Sequence, residues 1–199
     1  MDMVKTYRRD GDGALHYREA WSDEDGVTTH EGGVGTKGRS RLHPTRSRTR
    51  PNDPVATEFI RKFTEDAAAD GYHPVPEDRH GWVVLQCWTR SPDLSHPDDD
   101  RLFEEGQEAL DQYLGWRGVG HFDGNDIGGR PPAGHDLEGT VLNLFCRVVD
   151  SALGVKTVRG FAREFDLGPH YVIGVREPGA DAPYALAWSP RRQDKEFHL

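Results

Sequence analysis

Three glycines in the stretch Gly33-Val34-Gly35-Thr36-Lys37-Gly38 fit the pattern G-x-G-x-x-G, in which backbone amides surround a phosphate group. That chemistry needs a helix directly after the glycines and an acidic residue about 20 residues further on. Here Pro44 follows soon after the last glycine, and Asp53 is closer than that spacing and better placed to cap a helix. We therefore interpret the glycines as a turn between two strands, and we expect no nucleotide or other cofactor.

A basic segment follows the glycines and offers a second kind of phosphate chemistry. Its cationic side chains could contact the phosphates of a nucleic acid as separate point contacts. They could instead form a charged edge strand that prevents sheet-to-sheet aggregation. The formal net charge of −9 argues against a protein that coats nucleic acid with its whole surface. The candidate phosphate-binding residues are Lys37, Arg39, Arg41, Arg46, Arg48 and Arg50.

Metal-ligand residue types are densest around His121, Asp123, Asp126 and His135. The run from Asp123 begins like a calcium-binding loop, but Ile127 occupies a position that needs an oxygen donor, and the loop lacks its final glutamate. The two histidines have neither a helical spacing nor a cysteine partner. We therefore predict no bound metal, and a hairpin whose Asp and Gly residues form turns.

Catalysis would need a nucleophile beside a base, and the sequence shows no such pair. Cys87 and Cys146 both lie in apolar segments, which favours buried free thiols in a reducing compartment. We predict no catalytic residues and a protein that is not an enzyme. The sequence has no signal-peptide core at its start and no apolar run near the ~20 residues that span a bilayer, so we expect a cytoplasmic protein with no membrane partner.

The elements that must position these residues divide into two halves. Strands are predicted over 3–9, 15–21 and 27–31. The segment 39–50 follows and, if extended, carries the guanidinium groups of Arg46, Arg48 and Arg50 on one face. Asp53 and Pro54 predict the start of a helix whose apolar residues recur every four positions and which ends at Gly71.

The second half has a different order of elements. Buried strands are predicted over 82–89 and 140–149, and a last strand over 171–176. One helix is predicted from Arg101 to Trp116 with a cap among residues 98–100, and another after Asp150 or Ser151. The order is that of a ferredoxin-like β-α-β-β-α-β fold, with an irregular tail from Gly179. The fold class is therefore α+β, with domains over 1–78 and 79–199.

The first half resembles a WGR domain over about residues 3–78. The resemblance rests on the segments 17–21 and 30–38, on the helix with Ala56, Phe59 and Phe63, and on Gly71-Tyr72. It implies a small antiparallel sheet of three or four strands packed on one helix. In poly(ADP-ribose) polymerases this domain contacts DNA ends and neighbouring domains.

Two positions of the family motif differ in this chain. Glu31 stands at the position of the tryptophan and Gly33 at that of the arginine, and a glutamate repels phosphate. This weakens the expectation of DNA binding. The segments 120–129 and 143–145 with Asp150 resemble small bacterial ferredoxin-like domains, in which a D-G-x-x-x-G segment joins the two middle strands.

The function that these observations favour is a non-catalytic protein-interaction or regulatory protein of the bacterial cytoplasm. Its expected partner is another protein. One alternative is a nucleic-acid-binding accessory protein that uses the basic segment 37–50. A second alternative is a metal-dependent enzyme or metal-binding protein centred on residues 121–136.

Overall fold

The computed structural model describes residues 3–44, 53–129, 139–179 and 181–199. These residues form a mixed α+β structure with a four-stranded and a five-stranded antiparallel sheet and four α-helices, so the α+β class is confirmed. The chain divides into two compact units. The first contains Met1–Pro76 and Trp116–Gly118, and the second contains Glu77–Gly115 and Val119–Leu199.

The sheet of the first unit is a meander of four strands. They are β1 (Met3–Arg9), β2 (Leu15–Asp23), β3 (Gly26–Gly33) and β4 (Arg39–Pro44), and they pair in chain order. The first turn is held by Asp10, whose carboxylate accepts hydrogen bonds from the amides of Asp12 and Ala14. The first three strands confirm the sequence prediction. Of the extended segment, β4 covers the beginning, and residues 45–50 lie outside the described residues.

One helix, α1 (Pro54–Ala69), packs on one face of this sheet. The Asp53 carboxylate caps it by accepting from the amide of Val55 at 2.8 Å, and Pro54 stands in the first turn, as predicted. Gly71 follows the helix with φ +81°, a left-handed conformation that glycine adopts without steric penalty. The buried core of this face consists of Ala20, Val27, Ala56 and Ile60.

The sheet of the second unit contains five strands in the order β6-β7-β5-β8-β9. Their bounds are β5 (Gly81–Trp88), β6 (Gly120–Gly128), β7 (Val141–Val148), β8 (Tyr171–Arg176) and β9 (Ala185–Trp188). The predicted strands β5, β7 and β8 are confirmed. In the described part of the tail, only β9 is regular, and the sequence analysis missed it. The Asp123-Gly124 pair was expected in a connection between strands, but it lies within β6, at a bulge between Phe122 and Gly124.

Three helices belong to the second unit: α2 (Pro97–Glu104), α3 (Gly106–Gly115) and α4 (Ser151–Glu164). The prediction of one helix over 101–116 is wrong. The helical segment is interrupted at Glu105, and the first of the two helices begins at Pro97. Its N-cap is His96, whose Nδ1 accepts from the Asp98 amide at 3.2 Å. Asp99 is buried and binds the amides of Arg90 and Ser91, so it cannot cap the helix.

The core of the second unit lies against the central strand β5. Val83, Leu85 and Cys87 alternate along one face of it and are almost completely buried. A Cβ added at Gly154 of α4 would come within 3.0 Å of Val83, so this helix packs closely on that face. None of the helices in the described part of the chain has the length and apolar character needed to cross a membrane.

Both cysteines are free and buried, as the sequence predicted. Burial raises the pKa of the Cys87 thiol and of the Cys146 thiol well above the usual range. We expect neither thiol to react with iodoacetamide in the native protein, because the thiolate is the nucleophile and neither thiol is accessible. Intact-mass analysis should show two modifications only after unfolding in guanidinium. Modification of the native chain at the rate of free glutathione would contradict this.

Candidate functional site

The glycine stretch joins two antiparallel strands, which agrees with the turn predicted for it. The Thr36 amide donates to the Gly33 carbonyl at 3.1 Å, and Gly35 adopts φ +88°. The next element is β4, so the helix that a phosphate-binding loop requires does not follow the glycines.

A buried polar network lies on the face of the first sheet opposite α1. His30 Nδ1 lies 2.6 Å from the Glu19 carboxylate, and His30 Nε2 lies 3.1 Å from the Tyr17 hydroxyl. The Lys5 ammonium group pairs with the other Glu19 oxygen at 2.8 Å. Burial, and after it the Glu19 charge, raises the pKa of Tyr17 to about 12. The tyrosine therefore keeps its proton, and this arrangement holds the sheet together.

The sequence analysis did not single out His30, although a signal was present. Residues that alternate along a strand share a face, and His30 pairs directly with Glu19 in the register of β2 and β3. His30 is a polar residue on the same face as Tyr17 and Trp21, which makes it a candidate for a buried network. Recognising this requires the register between β2 and β3, which the sequence alone does not provide.

An apolar row crosses the same face of the first sheet. Met3 pairs with Trp21, Trp21 with Thr28, and Thr28 with Leu42, so these four residues point to one side. The indole of Trp116 meets Trp21 edge-on at 5.9 Å. Met3 is 56% exposed, Leu42 48% and Trp116 42%. We call Met3, Trp21, Leu42 and Trp116 the apolar row.

Two of the predicted phosphate-binding residues come together in an open groove of about 430 Å³ in the first unit. Lys37 and Arg39 line it, together with Arg18, Glu31 and Tyr72. Arg18 is already engaged by Glu31 at 3.2 Å and by Asp70 at 2.6 Å. Only part of the groove's positive charge therefore remains for a ligand.

The other predicted basic residues are divided between β4 and the part of the chain that is not described. Arg41 lies in β4, two residues after Arg39 and on the same side of the strand. Arg46, Arg48 and Arg50 lie outside the described residues.

A cluster of metal-ligand types lies at one end of the sheet in the second unit. His121 Nε2 is 3.8 Å from a Glu77 oxygen and 3.8 Å from an Asp123 oxygen, and the three donor atoms all lie within 4.8 Å of one another. Of the candidates named from the sequence, His121 and Asp123 are thus brought together. Asp126 accepts instead from the Asn143 amide at 2.7 Å, and His135 lies outside the described residues.

Sheet register explains why Glu77 joins residues that are distant in sequence. Gly81 of β5 and Gly120 of β6 both pair with Val148 of β7, so β5 and β6 begin at the same end of the sheet. Glu77 belongs to the short 3-10 turn Glu77–Arg79 that precedes β5, while His121 is the second residue of β6. No local sequence pattern contains this proximity, and the sequence analysis missed Glu77 for that reason.

His80 borders the same cluster. Its ring lies 6.1 Å from the His121 ring between centroids. Both of its nitrogens are buried and hydrogen-bond to no described residue. Burial, and next the neighbouring His121, lowers the pKa of His80.

The chain matches no protein-family model, and comparisons with curated proteins and with solved structures find no similar protein.

Proposed function

We propose that this chain is a protein-interaction module that binds its partner through the apolar row of the first unit. The observation that carries the proposal is the exposure of Met3, Leu42 and Trp116 around Trp21 on one side of the sheet. Exposed apolar side chains that share one face of a sheet, here with Thr28 between Trp21 and Leu42, can mark an interaction site. Tryptophan and methionine are also enriched in the cores of protein interfaces.

The proposed domain types accompany this function. For a WGR-like first unit, the support is a four-stranded antiparallel sheet with α1 on one face. For a ferredoxin-like second unit, the support is the strand order β6-β7-β5-β8, which interleaves two β-α-β connections. Both assignments are our proposals.

The chemistry of the partner follows from the strand that ends the apolar row. Leu42 alternates in β4 with Arg39 and Arg41, so the two arginines point to the other side of the sheet, and within the described residues the outer edge of β4 pairs with no strand. The matching partner surface therefore presents apolar side chains to the row. Its binding should therefore change little as the salt concentration rises.

The test compares two charge substitutions at exposed apolar positions of the same unit. Leu42→Asp places a carboxylate within the apolar row, whereas Val55→Asp places one on α1, where Val55 is 68% exposed. Quantitative affinity capture from a nuclease-treated lysate should recover the same partner with the wild type and Val55→Asp. Recovery with Leu42→Asp should fall by about 10-fold or more, which corresponds to about 1.4 kcal/mol. Equal recovery with both variants would contradict the proposal.

Nucleic-acid binding is the alternative that the groove favours, because Lys37 and Arg39 line it together. In that case the captured material should disappear after nuclease treatment. In a gel-shift assay with nicked DNA, the Lys37→Ala/Arg39→Ala variant should then bind more weakly than the wild type, whereas Leu42→Asp should bind as the wild type does. The two outcomes separate the alternatives within one set of variants.

A further inference from the structure

We propose that Glu77, His121 and Asp123 bind a divalent transition-metal ion, for which zinc is the best match. This inference is independent of the protein-binding proposal, because its residues all belong to the second unit.

The spacing of the donor atoms suits a metal ion. In a tetrahedral zinc site the metal–ligand distances are about 2.0–2.2 Å, which places neighbouring donor atoms about 3.4 Å apart. The two distances from His121 Nε2 are 3.8 Å and all three donor atoms lie within 4.8 Å, so a metal ion would draw the donors together by up to about 1.4 Å. The side chains of Glu77 and Asp123 are 68% and 38% exposed, which leaves them room to make that adjustment.

The backbone supports of the site are well defined. His121 is held by pairing with Arg147 in β7. The Arg147 guanidinium donates to the Glu77 carbonyl at 2.9 Å and stacks over the Trp82 ring at 4.3 Å. It thereby connects the turn that carries Glu77 with the strand that carries His121. Its positive charge opposes a bound cation, and the two carboxylates offset it.

His80 gives a second and separate indication of a ligand. Buried polar atoms in proteins nearly always have a hydrogen-bonding partner. Both nitrogens of the His80 ring lack one among the described residues, and the ring lies beside that of His121. An imidazole in this position is available as a fourth donor after a change of ring orientation.

The donor set selects the class of metal. Calcium and magnesium prefer oxygen donors alone, and soft metals prefer thiolates. One or two imidazoles with two carboxylates fit zinc, which commonly uses His and Asp/Glu ligands. Three protein ligands would leave one position for water, and His80 as a fourth ligand would close the site.

The experiment measures zinc binding to the full, metal-stripped chain by calorimetry. We expect one zinc ion per wild-type chain. The substitutions His121→Gln and Asp123→Asn should each weaken binding by at least about 10-fold, since even the loss of an outer partner of a ligand has that effect. His80→Gln should also weaken binding, because the ring beside His121 supplies the fourth donor, and unchanged binding by this variant would overturn that part of the proposal.

The matched control is His198→Gln. His198 is an exposed histidine 3.3 Å from the Glu196 carboxylate, and among the described residues no third donor joins this pair. This variant should bind zinc as the wild type does, and zinc should raise the melting temperature of both but not that of His121→Gln. Absence of zinc binding by the wild type, or equal weakening by His198→Gln and His121→Gln, would overturn the proposal.

Discussion

Replacing Gly38 by alanine should destabilise the first unit by about 3 kcal/mol, the upper part of the usual range for overpacking. A Cβ at this position would overlap the Tyr17 hydroxyl and the Glu31 carbonyl oxygen, and it would lie 2.7 Å from His30 Nε2. Tyr17 and His30 are almost fully buried, and the Glu31 oxygen belongs to the backbone of β3. None of the three can move away without disturbing the sheet.

Gly33→Ala is the matched control, since it changes another glycine of the same stretch. Its Cβ would have its nearest neighbour, Thr36 Oγ1, at 3.7 Å, an ordinary contact. We expect a change within about 0.5 kcal/mol, as for most surface substitutions. Because the chain has two compact units, hydrogen exchange of peptides from β2 and β3 is the suitable readout. Equal protection in the two variants would show that the glycines do not serve close packing.

The glycine stretch illustrates how much of the fold the sequence contains. The turn was predictable because the residues after Gly38 cannot begin a helix, and the cap at Asp53 was predictable from its neighbours alone. The requirement for glycine at position 38 could not be predicted in this way. It arises from the close approach of Tyr17 and His30 to Gly38, and these two side chains come together only when β2 and β3 pair.

The same limit applies to the candidate metal site. His121 and Asp123 are close in sequence and could be named from residue types. Glu77 and His80 reach them only because β5 and β6 both flank β7 and start at the same end. Local patterns also failed at Asp99. Its carboxylate accepts hydrogen bonds from the amides of Arg90 and Ser91 and therefore does not cap the helix.

The second large effect should arise at Glu19, a buried carboxylate that serves two partners. Glu19→Ala would remove the acceptor of His30 at 2.6 Å and the counter-charge of Lys5 at 2.8 Å. Glu19 is 3% exposed and His30 1% exposed, so water cannot replace the lost partner without rearrangement. Removal of one member of a buried ion pair typically destabilises a protein by about 3–5 kcal/mol. We expect a loss in that range.

The control for this prediction is Glu31→Ala, which removes another glutamate from the same sheet. The Glu31 side chain is 63% exposed and pairs with Arg18 at 3.2 Å, so its loss should change stability by about 1 kcal/mol or less. Exchange protection of β2 and β3 peptides should therefore fall sharply in Glu19→Ala and little in Glu31→Ala. An equal loss of exchange protection in Glu19→Ala and Glu31→Ala would show that the stabilising effect of the network does not come from its burial. The Lys5–Glu19–His30–Tyr17 chain would then be no stronger than the partly exposed Arg18–Glu31 pair beside it.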